Sequence, residues 1–394
     1  MKIADLDTWV VGNPPPGNGG RYWVFLKLTT DSGIEGVGEV YGVPFHPNVV
    51  VGMIEDVCQR HVIGADPFAI ERLWRTVYSS GYSQRPDLSA MGVLSGIEMA
   101  CWDIVGKALD RPVYDLLGGK VHDRLRSYTY VYPDPPEDLR AYTEPAIAAE
   151  RAAVYADQGF TALKFDPVGP YSAFDPRQLS LDALENAEAI AVAVREAVGG
   201  RCDLLIGTHG QMTAAGAIRL AKRLEKVDPL WFEEPVPPEN AVEMARVAAA
   251  TPIPVATGER LATKHEFAAL LRHQAASILQ PALGRVGGIL EAKKIAGMAE
   301  AHYAQIAPHL YCGPIEGAAN VQLATCSPNF LIQESIETWG GFHAEILKVP
   351  IRWEDGYIIP PTAPGLGVEL DEAVAAAHPY EDNLLHLEMM PEPL

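Results

Sequence analysis

Apolar and polar positions alternate along RYWVFLKLTT, break at a DSG turn and resume in IEGVGEVYG. This period of two predicts a pair of strands. HPNVVVGMIEDVCQRHVIG then shifts to helical spacing. In MGVLSGIEMACWDIVGKALDRPVYDLLGG the apolar residues recur at helical intervals as far as Gly118 and Gly119, which predicts a long helix followed by a shorter one. Strands followed by helices define an α+β unit over residues 1–124.

From about Leu125 the rhythm changes to short apolar runs, each followed by a long Ala/Leu/Arg/Glu-rich helical stretch. The runs are RSYTYVY, TALKF, DLLIG, LWFEE, PVATGE, SILQP, AQIAP and FLIQES. Repeated βα units call for a parallel sheet. Strand-end positions 207, 233, 259, 282, 309 and 334 are separated by 26, 26, 23, 27 and 25 residues, the length of one βα unit of a barrel. The expected fold is therefore α/β, a (β/α) barrel over residues 125–350 behind an α+β domain. Beyond Pro350, GYIIPPTAPGLGVEL and an acidic tail contain no further unit, so residues 351–394 are expected to return to the first domain.

Composition narrows the function. With 394 residues, 48% of them apolar, the chain can bury a large core. A formal charge of −20 argues against nucleic acid and anionic membranes as partners, but allows a small anionic substrate inside a pocket with its own local field. Five cysteines form no CxxC pair and are odd in number, which predicts free, buried thiols and a cytoplasmic setting. The opening MKIADLDTWVV has no export pattern, and no run reaches about 18 apolar residues.

Polar residues that end barrel strands converge on one pocket. Here they are Lys164 and Asp166, His209, Glu233 and Glu234, Glu259, His309 and Glu334. Carboxylates on neighbouring strands suit Mg²⁺, a hard cation with oxygen ligands. Lysine and histidine can move protons beside a substrate carboxylate while the metal neutralises charge on the resulting enediolate.

The combination of IEMACWDIVGKALDRPVYDLLGG, TALKF, WFEEPVPPEN, TGERL, VGGILEAKKIAGMAEAH, APH and PPTAPGLGVEL resembles the mandelate racemase/muconate lactonizing enzyme branch of the enolase superfamily over nearly the whole chain. The resemblance implies a modified (β/α)7β barrel with an N-terminal capping domain, Mg²⁺ as cofactor, and a small carboxylate as substrate. A homo-oligomer is also expected. It assigns metal binding to Glu233 and Glu259, the seventh-strand base to His309, and the eighth-strand carboxylate to Glu334. The GTHGQ segment resembles the Asp-x-His-Gly-Arg of sugar-acid dehydratases such as galactonate dehydratase, which makes His209 the general acid. Lys164 would contact the substrate carboxylate.

Three positions depart from the pattern. The family's first metal aspartate is matched by Gly207, and the aspartate that orients the histidine base by Ala282, so another acceptor is expected behind His309. The family's Lys-x-Lys is here Lys164-Phe165-Asp166, which favours elimination over racemisation. The expectation is a hydro-lyase converting an acid sugar to a 2-keto-3-deoxy acid. The alternatives are a cycloisomerase or racemase, and a barrel that binds a sugar acid without metal chemistry. NPPPGNGGRYW, with Arg21 and Tyr22, and YGVPFHP, with His46, match the family's substrate-closing loops, whereas His122 reads as structural.

Overall fold

The computed structural model describes residues 1–41, 43–136 and 138–394. The alternating N-terminal runs form an antiparallel meander of β1 (Ile3–Gly12), β2 (Tyr22–Thr30) and β3 (Glu35–Val40). Helices α1 (Pro47–Val57), α2 (Ile70–Tyr78), α3 (Leu88–Ala108) and α4 (Val113–Leu116) follow. The sheet accepts α3 at very short range because glycines face it. A Cβ at Gly36 or Gly38 would run into the backbone carbonyls of Ala100 and Gly96. Helix α3 is long and apolar enough to cross a bilayer, but 78% of that apolar window is buried inside the protein.

The barrel alternates β4 (Leu125–Tyr130), α5 (Pro145–Asp157), β5 (Ala162–Phe165), α6 (Leu181–Val198), β6 (Asp203–Gly207), α7 (Ala214–Leu224), β7 (Trp231–Glu233) and α8 (Ala241–Ala248). It continues with β8 (Val255–Thr257), α9 (Thr263–His273), β9 (Ile278–Leu279), α10 (Ile289–Ala301), β10 (Gln305–Ile306), α11 (Pro314–Thr325) and β11 (Gln333–Ser335). Strands β4 to β10 pair in order and in parallel, and β11 returns to β4 with Glu334 opposite Tyr128. The last seam closes where Ile306 bridges Phe330. Eight strands and seven helices make a (β/α)7β barrel. Each strand or its flank sends one buried residue inward, Tyr128, Ala162, Leu205, Trp231, Ala256, Ile278, Ala307 and Ile332, and these form an apolar cluster inside the ring.

Capping-domain carboxylates seal the N-termini of two barrel helices. Glu98 on α3 accepts from Ile289 N (2.7 Å) and Leu290 N (2.9 Å) at the start of α10. Glu39 at the end of β3 accepts from Gly313 N (2.6 Å) and Glu316 N (2.9 Å) at the start of α11. Amides at a helix start have no partner within the helix, and these carboxyl oxygens supply one.

The remaining elements are α12 (Phe342–Glu345), β12 (Arg352–Glu354), β13 (Tyr357–Ile359) and α13 (Glu372–Ala377). The β12–β13 hairpin pairs antiparallel with the first residues of β4. The tail then bridges β1 at Val11 and Pro379 and continues to the barrel mouth, where Met390 exchanges backbone hydrogen bonds with Tyr171 and Ala173. His386 fastens it on the way, with Nδ1 2.9 Å from Tyr22 O and Nε2 2.8 Å from Tyr311 O.

Candidate active site

A cavity of about 670 Å³ opens at the C-terminal ends of the strands, lined by Lys164, Asp166, His209, Glu259, His309 and Glu334 among others. Glu233 lies just beneath, 2% exposed. The sequence-predicted residues thus converge. Glu234 does not join them. Its backbone is left-handed (φ 40°), and its carboxylate turns away to Arg260, 2.7 Å distant.

The turns that aim these groups are tied together. Thr208 Oγ1 donates to the carbonyls of Glu233 and Glu234 at 2.8 and 2.9 Å, and Gly210 N donates to Glu234 O at 2.7 Å. His209, between them, is itself left-handed (φ 46°), an uncommon conformation for a residue with a Cβ, and one that the stitched turn sustains. Its Nδ1 stands 2.5 Å from Asp166 Oδ2, and its ring packs on Tyr171 with centroids 4.8 Å apart. Burial works against protonation of His209. The Asp166 and Glu259 carboxylates outweigh it and push the imidazole up to about 9.

Lys164 and Glu233 form a buried pair at 2.6 Å, and the second Glu233 oxygen accepts from Trp231 Nε1 at 2.9 Å. Glu334 Oε1 lies 3.5 Å from the same ammonium, and its Oε2 accepts from Leu310 N at 2.8 Å. Burial alone would neutralise Lys164, but Glu233 and Glu334 hold it well above its ordinary range. Burial raises Glu334 to about 7, with Lys164 opposing and Glu233 reinforcing.

His309 follows β10 and bridges Ala282 on the neighbouring strand end. Its Nε2 is 3.2 Å from Glu259 Oε2 and 3.9 Å from Glu334 Oε2, and its ring lies 5.7 Å from that of Tyr41. Among the described residues no protein group takes the place of the missing aspartate on Nδ1. Ala282 carries only a methyl group, and the ring lies beside the Glu259 carboxyl and the Tyr41 ring. Burial, partly offset by Glu259, depresses His309 to about 3 and keeps the imidazole neutral. Glu259 is held below the ordinary carboxylate range. Burial would raise it, and the positive charges of His209 and Lys164 act against that.

Among the described residues no three His, Cys, Asp or Glu side chains enclose an ion as they stand, because Lys164 and Trp231 occupy both oxygens of Glu233. Yet Oδ1 of Asp166 and Oε2 of Glu259 are buried without a hydrogen-bond partner. Four carboxyl groups, Asp166, Glu233, Glu259 and Glu334, share the region with the Lys164 ammonium and the His209 imidazolium. Unpaired buried oxygens beside excess negative charge are costly and are relieved by a cation. By this chemistry the residues fit an oxygen-seeking metal.

Sequence reasoning missed two contributors. Six tyrosines, Tyr41, Tyr130, Tyr132, Tyr142, Tyr171 and Tyr311, wall the cavity, and Leu387, Glu388 and Met390 of the tail close its rim. Tyrosine has no motif of its own, and the tail reaches the mouth through contacts remote in sequence. The proposed closing loops behave differently. Tyr41 of YGVPFHP lines the cavity, and Gly42 lies outside the described residues. His46 caps α1 by accepting from Asn48 N. Arg21 and Tyr22 fasten the tail. His122 meets Ser327 O at 2.9 Å, a structural contact. All five cysteines are free and buried.

A capped (β/α)7β barrel with histidines, a buried lysine and carboxylates at its mouth defines an enzyme of the enolase superfamily type. Residues 19–118 match the mandelate racemase/muconate lactonizing enzyme N-terminal domain, and residues 146–374 match the enolase C-terminal domain-like family. The D-galactonate dehydratase of Ralstonia nicotianae is 38% identical, aligned over 95% of this chain and 93% of its own. A mandelate racemase/muconate lactonizing enzyme from Sulfitobacter sp. is 55% identical with a TM-score of 0.97, covering 100% of this chain and 99% of that one. A mandelate racemase/muconate lactonizing enzyme-like protein from Roseovarius sp. TM1035 is 54% identical with the same TM-score and the same coverage. The chain belongs to the mandelate racemase/muconate lactonizing enzyme family of the enolase superfamily, and it is an enzyme of the hydro-lyase kind.

Proposed function

We propose that this enzyme is a cytoplasmic, Mg²⁺-assisted dehydratase of a small acid sugar. One observation carries the proposal. His209 follows the third strand and His309 the seventh in a closed ring of eight, so the two imidazoles approach the cavity from opposite sides. Lys164 and Glu334 stand between them at the same rim.

That arrangement suits an elimination in which acid and base work on opposite faces of the substrate. His309, neutral, accepts the proton α to the carboxylate. His209, held through Nδ1 by Asp166, presents its other nitrogen to the β-hydroxyl and protonates it as it leaves. Lys164 and Glu334 orient the substrate carboxylate. The enol so formed tautomerises to a 2-keto-3-deoxy acid. Glu233 and Glu259 would hold Mg²⁺, which when bound supplies positive charge beside the oxygens where negative charge develops. The tyrosine wall offers hydroxyls for sugar hydroxyls and ring faces for sugar C–H faces. The relatives named D-galactonate dehydratase support a sugar-acid substrate, and the five free thiols support a reducing compartment.

The test is a screen of acid sugars with Mg²⁺ in which 2-keto products are trapped with semicarbazide. Product from one or a few sugar acids is expected. Binding without turnover across the panel would overturn the dehydratase reading.

A further inference from the structure

The side chain missing at Gly207 is not replaced by empty space. Strands β5 and β6 run in register with Phe165 opposite Ile206, so the next residues, Asp166 and Gly207, lie side by side. Gly207 in turn pairs with Glu233 on β7. A Cβ built on Gly207 would overlap Oδ1 of Asp166 and come 3.3 Å from Lys164 Cε. The carboxylate of Asp166 therefore fills the position that a side chain at 207 would occupy. Asp166 is 6% exposed, and among the described residues the oxygen facing Gly207 has no hydrogen-bond partner. Its other oxygen meets His209.

We infer that Asp166 supplies the oxygen ligand that position 207 cannot, delivering it across the strands from β5 so that Asp166, Glu233 and Glu259 together form the metal site. The inference rests on the metal-assisted function proposed above. Three consecutive strands, β5, β6 and β7, carry Asp166, Gly207 and Glu233 in a row, so the glycine is the gap that admits its neighbour's carboxylate. The two residues are then complementary: a side chain at 207 and the present rotamer of Asp166 exclude each other. Restoring aspartate at 207 alone, which the sequence suggests as a remedy, places two carboxylates in one site. A carboxylate with one oxygen on a metal and the other on His209 also ties the ion to the ring that faces the substrate.

Mn²⁺, which shares the oxygen preference of Mg²⁺ and is visible by electron paramagnetic resonance, is the probe. Binding is measured by calorimetry and by resonance on the full chain, with folding checked by circular dichroism. The wild type is expected to bind one ion per chain. Asp166→Asn should weaken binding at least about tenfold, as loss of an ion's partner does. Gly207→Asp alone should also bind more weakly than the wild type, and the double variant Asp166→Gly with Gly207→Asp should recover most of the affinity. His209→Asn should retain binding, because Asp166 remains. If Asp166→Asn binds Mn²⁺ as the wild type does while Glu259→Gln loses it, the metal site stands without Asp166 and the inference fails alone. If His209→Asn loses as much affinity as Asp166→Asn, Asp166 acts only through the imidazole and the inference is overturned. A wild type that binds no Mn²⁺ overturns both this inference and the metal-assisted function.

Discussion

Ala282 and His309 are bridged across neighbouring strand ends, and among the described residues Nδ1 of His309 has no hydrogen-bond partner. If His309 is the proposed base, its imidazolium has no protein carboxylate bonded to Nδ1 among the described residues. Ala282→Asp is expected to accelerate exchange of the substrate α-proton by about tenfold, the scale on which a carboxylate behind a histidine acts. Exchange followed by NMR in deuterated solvent checks this, and an unchanged rate in a folded variant would count against His309 as the base.

The two histidines should fail differently. His309→Asn is expected to abolish α-proton exchange. His209→Asn should leave part of that exchange but stop loss of the hydroxyl. Equal loss of exchange in both variants would mean that His209 is not confined to the acid role.

The buried Lys164–Glu233 pair makes a stability prediction. Removing one member of a buried pair leaves the other uncompensated, at a cost of about 3–5 kcal/mol. Lys164→Met should therefore unfold at markedly lower urea than the wild type in the presence of a chelator. An unshifted midpoint would show that the carboxylates of Glu233 and Glu334 find another partner.

Glu39 predicts a pH dependence. Burial, with the Glu316 carboxylate adding to it and backbone amides opposing, raises Glu39 from 4.5 to about 8. Because the folded value lies above the unfolded one, its stabilising contribution is complete below about pH 4.5 and is lost as pH rises through about 8. Glu39→Gln keeps an acceptor for one of the two α11 amides and cannot ionise. Urea midpoints measured from pH 5 to 8 should fall less steeply for Glu39→Gln than for the wild type, and parallel curves would show that Glu39 does not titrate there.

Much of this was legible in the sequence because barrel strands end at one level. The recurrence of strand ends from position 207 to 334 located the mouth, and Glu233, Glu259, His309 and Glu334 all lie in or just beneath it. What escaped was lateral. That Asp166 fills the gap at Gly207 follows from the register between β5 and β6, which no local pattern encodes. Tyr41 and Tyr130 have the apolar bodies of core residues, and only their position shows them to be cavity wall. The tail was expected over the first domain and does touch β1, but its onward path to Tyr171 depends on two backbone hydrogen bonds.

Glu39 and Glu98 also bear on how such a protein can change through descent. Each belongs to the capping domain, yet each saturates amides that begin a barrel helix, so the two halves share one set of backbone obligations. A cap transplanted from a relative would have to bring a carboxylate to both places or strand the amides of α10 and α11. Tyr41, only two residues beyond Glu39, carries no such obligation and faces the cavity. New substrates can therefore be explored by varying the wall, while the join beneath it resists recombination.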